Sequence, residues 1–113
     1  IIVGVGNWEM LQAASKAKAD AVYFGITGIN MRNFAKNFQI TELKKVVDFC
    51  HKNNMKAYLT LNTIVYENEL KKVEKIIIES KKANLDALIV SDFAIIQIAK
   101  KYNVAFHIST QMS

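Results

Sequence analysis

His107-Ile108-Ser109-Thr110-Gln111-Met112-Ser113 alternates polar and less polar side chains at each step. Successive side chains of a strand point to opposite faces of its sheet. One face therefore carries His107, Ser109 and Gln111, while Phe106, Ile108, Thr110 and Met112 make the other mostly apolar. A strand with a polar face belongs to a site. The residues stop in mid-strand, so the site is expected to continue past residue 113.

Working outward, the same parity recurs. Tyr58, Thr60 and Asn62 share a face of the stretch Ala57 to Asn62, and Tyr23 joins them from Ala21 to Gly25. The remaining elements alternate strictly. Ile1 to Val5 is an apolar run closed by Gly6-Asn7. Trp8 to Ala19 reads as a helix with Trp8, Leu11, Ala14 and then Ala17 or Lys18 along one side. Gly28 to Phe38 is a longer connection. Thr41 to Asn53 carries Leu43, Val46, Val47 and Cys50 at helical spacing, and Asn68 to Ala83 does so through Leu70, Val73, Ile77 and Ser80. Leu88 to Ser91 is a fourth strand, Phe93 to Tyr102 a short helix facing inward through Ile95, Ile98 and Tyr102, and Val104 to Thr110 the fifth strand.

Strand and helix in alternation mean parallel strands with helical crossovers. An internal echo supports this: Ala19-Asp20-Ala21-Val22 and Leu85-Asp86-Ala87-Leu88 both lead from a helix into a strand through Asp. The ladder fits an open doubly wound sheet or five strands of a (β/α)8 barrel, which needs about 250 residues when complete. The polar parity favours the barrel, because an open sheet covered by helices on both sides is apolar on both. The first turn, Gly4-Val5-Gly6-Asn7, lacks the dinucleotide fingerprint, since its third glycine falls at Glu9. The fold class expected is thus α/β, a parallel ladder forming about five strands of a TIM-type barrel. Residues 1–113 are expected to make one partial domain that continues beyond residue 113.

Composition bounds the rest. Hydrophobic residues make up 51% and charged residues 22% of the 113, as in soluble globular proteins. No apolar run approaches the ~18 residues of a membrane span. No signal peptide is read at the front, where a few further residues are expected before Ile1. The single cysteine fits a reducing cytoplasm. Fifteen basic against ten acidic residues leave +5. The lysines are spread along helical stretches, so they read as solvated helix faces and not as a nucleic-acid footprint.

Several residues carry possible chemistry. Asn30, Arg32 and Lys36 lie in the connection after the second strand, where barrel enzymes place their sites. Arg32, the only arginine, offers a fork for carboxylate or phosphate. The segment is either an anion clamp or a basic loop whose Phe34 and Phe38 cap the barrel. Asn62 and Thr63 end the third strand; Ser91 and Asp92 end the fourth, where Asp92 reads first as a helix N-cap. His107 and Ser109 sit about 7 Å apart along one strand, too far for a nucleophile–base pair. Cys50 falls on an apolar stripe and is core, and His51 caps or solvates a helix end. The chain shows no HExxH, CxxC or acidic cluster, so no metal ligand set is read.

Taken together, Gly6-Asn7, Ala19 to Gly25, Asn30-Met31-Arg32 with Ala35 to Phe38, Leu59 to Thr63, Asp86 to Asp92 and His107 to Ser113 resemble the collagenase-like peptidase U32 family. One departure is Val3-Gly4-Val5-Gly6-Asn7, where the family has Ala-Pro-Ala-Gly-Asn. The resemblance implies a cytoplasmic barrel enzyme. It also implies either collagenase-like proteolysis or oxygen-independent hydroxylation of transfer RNA, ribosomal RNA or ubiquinone. Some members hold an iron–sulfur cluster on cysteines outside this stretch, and no cofactor is expected within it. Under the hydroxylation branch, Arg32 and Lys36 are expected to hold RNA phosphate or a small dicarboxylate such as prephenate. Asn30, Asn62, Thr63, His107, Ser109 and Gln111 are expected to line the pocket, with no catalytic step assigned to any of them. A peptide substrate is the alternative, and a third expectation is an inactive fragment that self-associates through its edge strands.

Overall fold

The computed structural model describes residues 1–26, 38–61 and 70–108. In chain order these form β1 (Ile2–Gly4), α1 (Trp8–Lys16), β2 (Ala21–Phe24), α2 (Leu43–Lys52), β3 (Lys56–Leu61), α3 (Leu70–Lys82), β4 (Ala87–Val90), α4 (Phe93–Lys101) and β5 (Phe106–Ile108). A 3-10 turn at Ile40–Glu42 leads into α2. All strand pairs are parallel, and the sheet runs in sequence order from β1 to β5. The fold is therefore α/β, with the strict alternation that periodicity predicts.

The sequential order has a consequence for the two faces. Parallel crossovers are almost always right-handed. When each new strand adds on the same side, every crossover helix falls on the same face. Burial bears this out. Val22, Phe24, Ala57, Leu59, Leu61, Leu88 and Val90 point to the helices and are all buried. Full burial of such a side chain contributes about 1.5–3 kcal/mol. The alternate residues Tyr23, Tyr58, Thr60, Ile89 and His107 point away and are half-buried or exposed.

An aromatic cluster closes the helix side near the C-terminal ends of β1 and β2. Phe38 packs edge-on against Phe24 and Trp8, each with ring centroids at 5.6 Å, and Trp8 meets Phe49 at 6.1 Å. Trp8 Nε1 donates to Glu42 Oε2 at 3.0 Å, and the Gln39 N–H donates to Glu42 Oε1 at 3.0 Å. These two donors hold the Glu42 carboxyl below its usual range. Phe38 thus belongs to the core beneath the helices and does not cap the open face. Phe34 lies outside the described residues.

All four helices end in the same way. Lys18, Asn54, Asn84 and Asn103 adopt left-handed backbone with φ of 61°, 62°, 66° and 59°. The next N–H turns back to a carbonyl five residues earlier: Ala19 to Ala14, Met55 to Cys50, Leu85 to Ser80, and Val104 to Ala99. This is the Schellman geometry, in which the residue after the left-handed one packs on the helix residue that accepts its bond. The acceptor residue is small in each case and is buried. That accounts for Ser80 in the core, where its hydroxyl donates to Ile76 O at 2.7 Å.

Helix α1 stops at Lys16, a turn earlier than the Ala19 expected, because Lys18 turns left-handed. Ala17 and Lys18 are consequently exposed and not part of the buried stripe. Asn7, read only as the close of a strand, caps α1 by accepting from the Met10 N–H at 2.8 Å.

Candidate functional site

The site is built on the face that the helices leave uncovered. Gly4, Tyr23, Tyr58 and Ala87 stand side by side across β1 to β4. Thr60, Ile89 and His107 form the next row toward the C-terminal edge. The two tyrosines lean in opposite directions, each over a small neighbour. A Cβ on Gly4 would lie 2.8 Å from Tyr23 Cζ, so the ring of Tyr23 covers β1 only because residue 4 is glycine. Tyr58 faces Ala87 and reaches past it to His107 on β5, ring centroids 5.7 Å apart and planes at 90°. Thr60 Oγ1 donates to Phe24 O at 3.2 Å, which commits its proton to the backbone.

This arrangement offers aromatic surface beside an imidazole. It suits a planar ring entering edge-on or stacked, and His107 adds a group that both donates and accepts hydrogen bonds. Asp92 Oδ1 accepts from the Ala94 N–H at 2.8 Å, so this carboxylate caps α4 as its position predicts.

Two other polar residues have structural jobs. His51 Nε2 lies 2.8 Å from Asp86 Oδ2, and that same oxygen accepts from the Ala57 N–H at 2.7 Å. His51 therefore ties the end of α2 to the start of β3 and β4, a more specific task than capping or solvating a helix end. Cys50 is fully buried beneath it. Burial, and then the nearby Asp86 carboxylate, push its thiol up to about 12, so it stays protonated and inert.

Of the candidates read from sequence, His107 is on the open face as its parity predicts. Asn30, Arg32, Lys36, Asn62, Thr63, Ser109 and Gln111 lie outside the described residues. The contributions of Gly4 and Ala87 were missed. Their signal was the pairing of a small residue beside each tyrosine, visible only once the register is known. Among the described residues no group of three or more His, Cys, Asp or Glu side chains is placed to hold a metal ion. No helix among them is long and apolar enough to cross a membrane.

Comparison with known proteins completes the picture. The chain is 41% identical over its whole length to a collagenase of Porphyromonas gingivalis, of which it covers 28%. It is 33% identical over its whole length to a tRNA hydroxylation protein of Bacillus subtilis, covering 27% of that protein. Over 82% of its length it is 36% identical to a 23S rRNA 5-hydroxycytidine synthase of Escherichia coli, covering 14%. It therefore spans about a quarter or less of these relatives. No solved structure matches it significantly. The model of peptidase family U32 matches residues 6–113, and the chain belongs to that family.

Proposed function

We propose that this ladder is the first part of a closed β/α barrel in an enzyme that hydroxylates RNA without molecular oxygen. The carrying observation is the open face, where Tyr23, Tyr58 and His107 present rings that no helix of the described residues covers. In a closed barrel that face becomes the interior, and the C-terminal ends of the strands become the mouth. A base taken out of its stack needs a pocket with aromatic walls and a few polar groups. His107 stands one row nearer the mouth than the two tyrosines, which then form the floor. Similarity to relatives named for tRNA and 23S rRNA hydroxylation supports the reading. Action on RNA supports a cytoplasmic location for the enzyme.

The iron–sulfur cluster that the family implies finds no ligands among the described residues. Cys50 does not fit it: a ligand must be a thiolate facing the cluster, and this thiol is protonated within the core. Any such cluster would need cysteines outside this stretch.

The experiment is deletion of the gene followed by mass spectrometry of nucleosides from total RNA. Loss of a hydroxylated nucleoside is expected, restored by the full-length protein and reduced at least tenfold with His107→Ala or Tyr58→Ala. Unchanged nucleosides would sink the reading. The 41% identity to a collagenase favours a second reading, proteolysis. It gains support if the full-length protein cleaves denatured collagen and the same two variants abolish cleavage.

A further inference from the structure

The positive charge of this chain is dispersed in sequence and gathered in the fold. With every strand parallel, all four helix-to-strand turns lie along the N-terminal edge of the sheet. The last turns of the helices bring Lys16, Lys52, Lys81, Lys82, Lys100 and Lys101 there, where a cation complements the helix dipole. Lys18 and Lys56 join them from the turns, and all eight are exposed. Against these eight stand Asp20, Glu74, Glu79 and Asp86. The excess of four is most of the formal net charge of the whole chain, +5.

Lys81 has a structural partner, donating to Asn103 O at 3.1 Å, and Lys100 is a second cation in the last turn of α4. Local structure does not explain Lys18 or Lys56. Lys18 occupies a left-handed position that asparagine fills in the other three turns, and a side chain there costs about 1–2 kcal/mol. Lys56 opens a strand, where lysine is disfavoured. Among the described residues, Lys18, Lys56 and Lys100 form no ion pair, whereas Lys82 and Lys101 pair with Glu79 and Glu74.

We propose that this basic rim is a second contact for RNA, binding the phosphate backbone away from the mouth of the barrel. The proposal rests on the RNA reading above and narrows its substrate class. The six residues of β3 put the two ends of the sheet about 20 Å apart. A short stem-loop seated at the mouth is expected to fall short of the rim, which a folded tRNA is large enough to touch. The rim selects large, structured RNA over short stems. A lipid surface fits less well, because the exposed residues of the four turns are small or polar and lipid insertion needs bulky apolar anchors.

The test uses the full-length protein with Lys18→Asn, Lys56→Thr and Lys100→Gln combined. Fluorescence anisotropy is read with labelled bulk tRNA and with a stem-loop excised from it. For tRNA, affinity near 0.1 M salt is expected to fall at least tenfold, and the slope of log K against log salt by about two, since each lost phosphate contact removes ~0.7–0.9. For the stem-loop, affinity is expected to stay within twofold. Arginine at the same three positions is expected to retain tRNA binding. Unchanged tRNA binding, or equal losses on both RNAs, overturns the proposal. So does wild-type protein that binds phosphatidylglycerol vesicles and not tRNA. Hydrogen exchange on wild-type protein gives an independent reading: tRNA is expected to protect residues 17–20, 53–56, 83–86 and 102–105, and absence of protection there overturns the proposal as well. The two readings fail separately. Unchanged nucleosides in the deletion strain sink hydroxylation alone, and hydroxylation without rim dependence sinks the rim alone.

Discussion

The two faces of the sheet share a backbone and differ in every other respect. Leu59 and Thr60 are consecutive on β3, yet Leu59 is fully buried under the helices while Thr60 stands on the open side. Tyr23 keeps 42% of its surface exposed between Val22 and Phe24, which keep 0% and 2%. A parallel sheet covered on both sides is apolar on both. The asymmetry teaches that one side is for stability and the other is available to a ligand.

The largest test of that division compares neighbours. Leu59→Ala is expected to cost about 2–5 kcal/mol, the range for a buried leucine that leaves a cavity. Thr60→Val removes one hydrogen bond to Phe24 O and is expected to cost about 1 kcal/mol. Urea unfolding of the full-length protein measures both, and equal costs would erase the distinction between the faces.

A sharper comparison concerns Gly4. In Gly4→Ala the new methyl meets the outer end of the Tyr23 ring, which swings away because it is half exposed. Stability is expected to fall by less than about 1 kcal/mol, within the range for a small overpacking error. Function is expected to suffer more than stability, and to suffer no further when Tyr23→Ala is added. Additive losses in the double variant would show that the ring and the glycine do not act together.

The turns give smaller effects of opposite sign. Lys18→Gly relieves a left-handed lysine and is expected to stabilise by up to about 1 kcal/mol. Asn54→Ala in the equivalent turn is expected to destabilise by about the same amount. Thermal melts of both variants suffice, and a shift in the same direction would contradict the shared geometry.

The smallest expected effect is pH dependence on the helix side. Glu42 is held below its usual 4.5 by the Gln39 N–H and then Trp8, and Glu74 by the Tyr102 hydroxyl and then Lys101. Both carboxyls bind fewer protons folded than unfolded. Their stabilisation is complete above pH 4.5 and is lost as pH falls through the depressed folded values. Glu42→Gln is expected to flatten stability measured from pH 5 down to pH 3, and an unchanged profile would remove Glu42 from the account.

Much of this was legible in the residues themselves. Alternating periodicity located every strand and helix, and parity placed Tyr23, Tyr58, Thr60 and His107 on one side, because side-chain direction follows directly from position in a strand. Helix ends were less legible. Asn54, Asn84 and Asn103 are recognisable stop signals, but lysine at position 18 is not one, so α1 was drawn too long. The rim was invisible, since its lysines fall at irregular intervals and only the parallel topology collects them. The Tyr58–His107 contact depended on register across Ala87, which no local pattern encodes.

The sequential strand order also bears on how such a chain is made. Among the described strands, β2, β3 and β4 each pair with the one synthesised just before and the one synthesised just after. A ribosome delivering this chain from its N-terminus therefore never requires a late strand to be inserted between two early ones. Each strand–helix unit docks onto an edge that already exists and presents a fresh edge to the next. Domains assemble N-terminal first during synthesis, and parallel pairing across helical crossovers is slow to form. Growth by successive addition leaves two unpaired edges among the described strands at every stage, a fixed one on β1 and a moving one on the newest strand, and association can start at either.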